Sequence, residues 1–193
     1  MIFNSKYSCI QAQNQKWISE DNFHSIVPIR FKDRYIIMKW RNEQIYHLRQ
    51  KTFLTKESQD NYFNKTLSKI FNEEQPSQVL FSYLAGKQCI GYGGLVHIDW
   101  NSLNAEISFI IDTLREKKEF HLHWTNFLKL IEKIAFENLK LQKIFTFAYD
   151  LRPHLFETIE KSGYVCEGIL KNHYKLEDKF YDVKIHSKET CQP

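Results

Sequence analysis

The amino-acid sequence predicts an α/β domain organised on a mixed β-sheet, and three observations predict it. The stretch 79–112 reads as consecutive antiparallel strands separated by short turns. An amphipathic helix from Phe120 to about Asn138 then lies between two apolar runs, Ile107–Ile111 and Ile144–Ala148. A strand–helix–strand unit of this kind makes neighbouring parallel strands with a right-handed crossover. Finally, 193 residues with 42% hydrophobic and 26% charged content suit one soluble domain with a sizeable core.

The centre of the pattern is Gln88–Asp112. Ile90 to Ile98 is apolar or glycine at most positions. Asp99, Asn101, Ser102 and Asn104 cluster as turn formers, and Ile107 to Ile111 is rich in β-branched and aromatic residues. Gly91, Gly93 and Gly94 lie inside the first of these strands, where glycine marks a bulge or a close backbone approach.

Upstream, residues 1–24 are polar and read as an N-terminal extension, either an extra strand or a tail packed on a domain spanning 25–193. His24 to Arg30 reads as a strand, with Pro28 at its end or on a sheet edge. Phe31 to Tyr46 has helical spacing through Tyr35, Ile37 and Trp40. Thr55 to Phe71 predicts a second helix. Thr55 is its N-cap, and Ser58 at the third position falls short of the usual Glu or Gln of a capping box. Val79 to Ala85 is the next strand, turning at Gly86-Lys87. Downstream, Lys143–Ala148 is a buried strand, Pro153 opens a helix that Gly163 ends, and 164–170 and 180–186 close the chain as two strands.

This order of elements resembles the GNAT N-acetyltransferase family. The residues that carry the resemblance are Cys89-Ile90-Gly91 and Ala105-Glu106-Ile107 on the central hairpin, Trp40-Arg41-Asn42 at the end of the first helix, and Glu160-Lys161-Ser162-Gly163-Tyr164. It covers roughly residues 25–188. It implies a GNAT-like mixed, twisted central sheet with helices on both faces, acetyl-CoA as acyl donor, and a primary amine as acceptor. In the family, the strand bearing Glu106 runs beside the acetyl group, so the resemblance places Ile107, Phe109 and Ile110 along the donor. It places Trp40, Arg41 and Asn42 on the acceptor wall, against the alternative, preferred for Trp40, of a core anchor followed by a solvated Arg41; His173 of the penultimate strand either lines the acceptor pocket or, the preferred reading, is exposed on the surface.

Acyl transfer of this type needs a cradle for the donor's pyrophosphate, donors for the oxyanion, and a route for the amine's proton. The family cradle is a glycine-rich loop whose backbone N–H groups face the phosphates. Here Asp112–Phe120 has no glycine. Arg115, Lys117 and Lys118 either replace those amides with side-chain cations or form a solvated turn. Arg152 occupies the place of a family asparagine, and Ile159 that of a tyrosine able to protonate the leaving thiolate. Tyr149 or a water is left for that task. Glu106 is the candidate base, acting directly or through a water, against the alternative of a hydrogen-bonded structural carboxylate. His97 and Asp99 lie across the turn from it, either taking part or exposed. His121 and His123 do not share a helix face, which argues against a metal pair.

Within the family the Trp-Arg-Asn helix resembles two groups, one acetylating amino groups of nucleotide-activated sugars and the other protein N-termini. The sugar reading is the leading expectation. A GNAT fold that has lost catalysis and serves as a binding or partner module is the rival from another class. Net charge +4 suits an anionic small ligand, and no helix carries a basic stripe fit for nucleic acid. No apolar run reaches membrane-spanning length. Four cysteines without paired spacing read as reduced thiols in a cytoplasmic protein, with a homodimer as the expected assembly.

Overall fold

The computed structural model describes residues 6–190. Eight strands form one sheet: β1 (Trp17–Ile18), β2 (His24–Pro28), β3 (Val79–Ala85), β4 (Gln88–Asp99), β5 (Asn104–Ile111), β6 (Lys143–Tyr149), β7 (Val165–Leu176) and β8 (Lys179–Glu189). Their order is β1-β2-β3-β4-β5-β6-β8-β7. All neighbours are antiparallel except β5 and β6. That parallel pair is the one the helical crossover predicts. It is joined through only three residue pairs, Asn104↔Lys143 to Glu106↔Phe145. The contact therefore lies just ahead of 107–111, and beyond Glu106 the strands part.

Side chains alternate between faces along a strand, and this alternation sorts the helices. Phe81, Gly93 and Phe109 are cross-strand partners and share one face. Helix α5 (Phe120–Glu132) packs there, with Phe127 stacked on Phe109 at 3.9 Å between ring centroids. A Cβ on Gly93 would come within 2.9 Å of the Phe127 ring, so the glycine makes room for that stack. Leu80, Gly94 and Ser108 share the opposite face. A cavity there is walled by Ile37 and Arg41 of α1 (Arg34–Glu43) and by Ser58 and Gln59 of α2 (Lys56–Asn61). The helix begun by α2 continues as a π-helical turn, Tyr62–Leu67, and ends as α3 (Ser68–Ile70).

Three local expectations are corrected. Thr55 and Ser58 do make a capping box: each side chain accepts from the other's backbone N–H, so serine does at N3 what Glu or Gln usually does. Asp112–Phe120 is not an open turn. Asp112 caps a short helix, α4 (Thr113–Lys118), by accepting from the backbone N–H groups of Leu114 and Arg115, and α5 follows at once. The last hairpin is longer than the two runs suggest, with β7 extending to Leu176.

The N-terminal segment is both a strand and a packed tail. Strand β1 pairs with β2, while Tyr7 and Ile10 are buried in the core, Tyr7 against Phe71 and Phe81. Chain position 28 explains a further contact. Proline ends β2, and one residue on, Ile29 N–H still reaches Leu80 C=O. The Leu80 N–H is instead taken by the Tyr7 hydroxyl at 2.8 Å, which in turn donates to Leu80 C=O. Among the described residues no helix is long and apolar enough to cross a membrane. The expectation for Cys191 lies outside the described residues, and Cys9, Cys89 and Cys166 are free thiols.

Candidate active site

Glu106 is the last residue of β5 paired with β6, so it stands where the two strands begin to part. Its partner across β4 is Val96, which puts it on the α1/α2 face with Ser108. The residue is 5% exposed. Charged and polar side chains surround its carboxylate. Arg49, from the segment after α1, makes an ion pair with Oε1, and His97 Nδ1 lies 3.0 Å from Oε2. Both carboxylate oxygens are thus engaged by groups from separate elements. His97 sits in a bulge of β4, between Val96 and Asp99, with φ of +50°. A non-glycine residue in that region holds a strained conformation that clusters at functional sites.

The gap between β5 and β6 opens into a cavity of about 480 Å³. Glu106, Ile107, Ser108 and Phe109 form one wall, and Thr146 to Tyr149 form the facing one. Beyond Glu106 the β5 edge has no strand partner on the β6 side. Alternate backbone groups of 107–109 therefore face the gap without a strand partner, while the Ile111 C=O accepts from Gln44 Nε2 at 2.7 Å. Trp124 also lines the cavity, and its buried Nε1–H has no hydrogen-bond partner among the described residues. Of the titratable groups, His47 is held neutral. Burial, reinforced by the Arg152 charge, pushes its imidazole down to about 2. Burial raises the Tyr149 hydroxyl, which stacks ring to ring on Tyr174 at 3.6 Å.

A second cavity, about 350 Å³, adjoins the first between the sheet and the two helices, and Arg41, Gln78, Val96 and Ser108 line both. Its walls include Tyr62, Phe63 and Tyr92. Arg41 donates to the Tyr92 hydroxyl and, at 2.9 Å, to Gln50 Oε1. Among the described residues no carboxylate pairs with this guanidinium.

Other residues singled out by sequence fall outside the two cavities, Arg152 excepted. Trp40 is buried, and its Nε1–H donates to Asp112 Oδ2 at 3.0 Å. Asn42 braces the loop after α1 through Leu54 N–H, Leu54 C=O and Gln50. His173 is exposed on β7, edge-on to Phe147. Ile110 is buried and does not line the gap. Arg152 lines the gap and makes a buried ion pair with Glu116 at 2.9 Å, near the rings of Phe120 and Trp124. Arg115 pairs with Glu119 at 2.8 Å, while Lys117 and Lys118 are exposed on α4. His123 is buried and meets Tyr83 and the exposed Glu119, and His121 meets Thr158 from the other side of the helix. No metal-holding cluster occurs among the described residues. Sequence reasoning missed Arg49, which lies 57 positions from Glu106 in a segment with no periodic signal.

No curated relative matches the sequence. The fold is similar to spermidine N-acetyltransferase from Vibrio cholerae, solved in complex with CoA and spermine. The TM-score is 0.73 at 19% identity, covering 86% of this chain and 95% of that one. A dodecameric structure of the same Vibrio cholerae enzyme gives 0.71 at 20% identity, over 86% and 93% of the two chains. These likenesses concern the fold. The model of the acetyltransferase (GNAT) domain matches residues 26–185, the whole span from β2 into β8. With the parted parallel strands and the Glu106 gap between them, that match shows that the chain belongs to the GNAT acetyltransferase family.

Proposed function

We propose that this chain transfers an acetyl group from acetyl-CoA to the primary amine of an anionic small molecule, the amino group of a nucleotide-activated sugar being the fit we put forward. The observation that carries the anionic acceptor is Arg41. It stands at the junction of the two cavities with its charge balanced only by a phenol and an amide. A half-buried guanidinium without a carboxylate is best completed by an acid on the ligand. Arg49 and Arg152 also line the gap but are paired, with Glu106 and Glu116, so Arg41 is the cation there whose charge no carboxylate among the described residues balances. A polycation such as spermine, the ligand in the Vibrio cholerae structure, meets repulsion there. The aromatic walls of the second cavity suit a ring.

The residues present fit the donor, by a different route from an amide nest. Asp112 already takes the first free amides of α4, so that helix end is closed to phosphate. Arg115, Lys117, Lys118 and Arg152 would hold the phosphates with side chains instead. The open edge of β5 at Ile107 and Phe109 would run beside the pantetheine arm, with Trp124 Nε1–H as a further donor. Acetyl-CoA supplies an acyl group activated as a thioester. The protein's part is to orient the amine over the gap, supply N–H groups for the developing oxyanion, and remove a proton at the Glu106 cluster. The chain would act as a homodimer in the cytoplasm, a reading supported by three free thiols and by Val165, Ile169 and Phe180 exposed on the last hairpin.

The test is thiol release from acetyl-CoA with a panel of amines: a UDP-linked amino sugar, an amino-sugar phosphate, a neutral amino sugar, a peptide N-terminus and spermidine. Anionic amines should be turned over best, and Arg41→Ala should raise their KM while leaving CoA affinity alone. Spermidine turned over faster than every anionic amine would refute the acceptor class. No turnover of any amine would favour the binding-module alternative. Glu106→Gln should lower kcat by about 10²–10⁴-fold, the usual worth of acid–base catalysis.

A further inference from the structure

We infer that His97 is the group that takes the acceptor amine's proton, and that Glu106 acts through it as a positioning residue. This inference rests on the acetyl-transfer reading above and assigns the proton step within it.

Three features converge. Glu106 has no free oxygen of its own, since Arg49 holds Oε1 and His97 Nδ1 holds Oε2. An ion-paired, hydrogen-bonded carboxylate is better suited to orienting a neighbour than to taking a proton from substrate. Next, the contact through Nδ1 fixes the neutral tautomer: Nδ1 carries the hydrogen donated to Glu106, and Nε2 keeps its lone pair. That leaves a base whose other nitrogen is oriented by a carboxylate, the arrangement that recurs wherever imidazole does general-base work. Last, His97 lines the gap, and its side chain is 66% exposed. Nε2 is therefore open to a ligand entering over Glu106. The bulge that holds His97 at φ +50° turns this residue out of the regular pleat, and it is the only interruption in the pairing of β4 with β5. Arg49 and Glu106 are the charged groups facing the imidazole, one from the segment after α1 and one from β5.

The chemistry closes without a further reactant. The bound ammonium gives its proton to Nε2, which leaves a lone pair on nitrogen. That pair forms the N–C bond to the acyl carbon of the donor, the C–S bond breaks with its electrons on sulfur, and the second proton of the newly bonded nitrogen passes to that thiolate, leaving a neutral amide and a free thiol. The proton on the imidazolium then passes to water, returning His97 to its starting form. Glu106 stays ionised throughout and balances the transient imidazolium charge.

The variant that isolates this role is His97→Asn. An asparagine amide can still donate to Glu106 from the Nδ1 position. Asparagine also tolerates a left-handed backbone, so the bulge is preserved. It has nothing in the place of Nε2. We expect an unchanged melting temperature, an unchanged acceptor KM, a kcat lower by about 10²–10⁴-fold, and partial recovery with added imidazole. The fall in activity on the acid side of the wild-type pH profile should vanish in the variant. A second measurement needs no turnover. In a long-range ¹H–¹⁵N spectrum of the wild-type protein, the histidine signals absent from His97→Asn should report the Nδ1–H tautomer. A kcat within threefold of wild type, or an Nε2–H tautomer at His97, overturns the inference while leaving acetyl transfer intact. Absence of any acetyl transfer by the wild-type protein would instead sink the reading on which it rests.

Discussion

Tyr7→Phe should destabilise the protein by about 2 kcal/mol, although it removes one oxygen atom from a segment that sequence assigns to an extension. The magnitude follows from the partners. The hydroxyl accepts from Leu80 N–H and donates to Leu80 C=O, both at 2.8 Å, deep in the core. After substitution Leu80 C=O keeps Ile29 N–H at 2.9 Å. Leu80 N–H has no such reserve, because β2 has ended at Pro28 and cannot pair further. One buried donor left without an acceptor costs about 1–3 kcal/mol, and the ring's packing against Phe71 and Phe81 is retained. For a domain of this size that corresponds to a fall in Tm of about 4–8 °C. The measurement is urea unfolding followed by tryptophan fluorescence, with the midpoint lowered and the m-value unchanged. Tyr7→Leu should cost more, because the lost ring area adds a cavity. A Tyr7→Phe midpoint equal to that of the wild type would refute the role given to the hydroxyl.

Other expectations can be checked alongside. Replacing Arg115, Lys117 and Lys118 together by alanine should weaken CoA binding in calorimetry and flatten its salt dependence; unchanged affinity would leave the side-chain cradle unsupported. His47 makes the protein acid-labile in a defined window. Its folded value of about 2 lies below the unfolded value of about 6.5, so the unfolded chain binds the extra proton between them. Stability from this group is complete above about pH 6.5 and is lost at up to about 1.4 kcal/mol per unit as pH falls below it. Melting curves of His47→Gln should fall less steeply than the wild type between about pH 6.5 and 5, and parallel curves would contradict the assignment. Tyr149→Phe should lower kcat only if the phenol protonates the leaving thiolate, which thiol release reads directly.

Sequence made the sheet readable because its signal is periodic. The apolar runs of β3 to β6 and the repeat of α5 at threes and fours each report burial on one face. The same logic hides α4. That helix has no buried residue, so no apolar stripe marks it, and its capping aspartate looks like any turn former. Ser58 was passed over because a serine at N3 lacks the length usually associated with a capping box. Within the site, the place of Glu106 at the parting strands was legible from the hairpin and the crossover. Its company was not. Arg49 is brought to it by the path of an aperiodic loop, and His97 by a bulge, and neither device leaves a mark on composition or spacing. Tyr7 shows the same limit from the other side, since a lone aromatic in a polar stretch gives no hint that strand β3 depends on it.

Asp112 touches both halves of the site with one carboxylate. Oδ1 closes the start of α4, on the donor side, and Oδ2 holds the indole of Trp40 in α1, the helix that carries Arg41. On the acetyl-transfer reading proposed above, the two substrates would therefore not be held by mechanically independent walls. A donor that draws α4 inward tugs on α1, and an acceptor that pulls on Arg41 tugs back through the same four atoms. Binding free energies coupled in this way are reciprocal: whatever factor the donor adds to acceptor affinity, the acceptor returns to the donor. Where that factor exceeds one, such a chain would favour the ternary complex over either binary one.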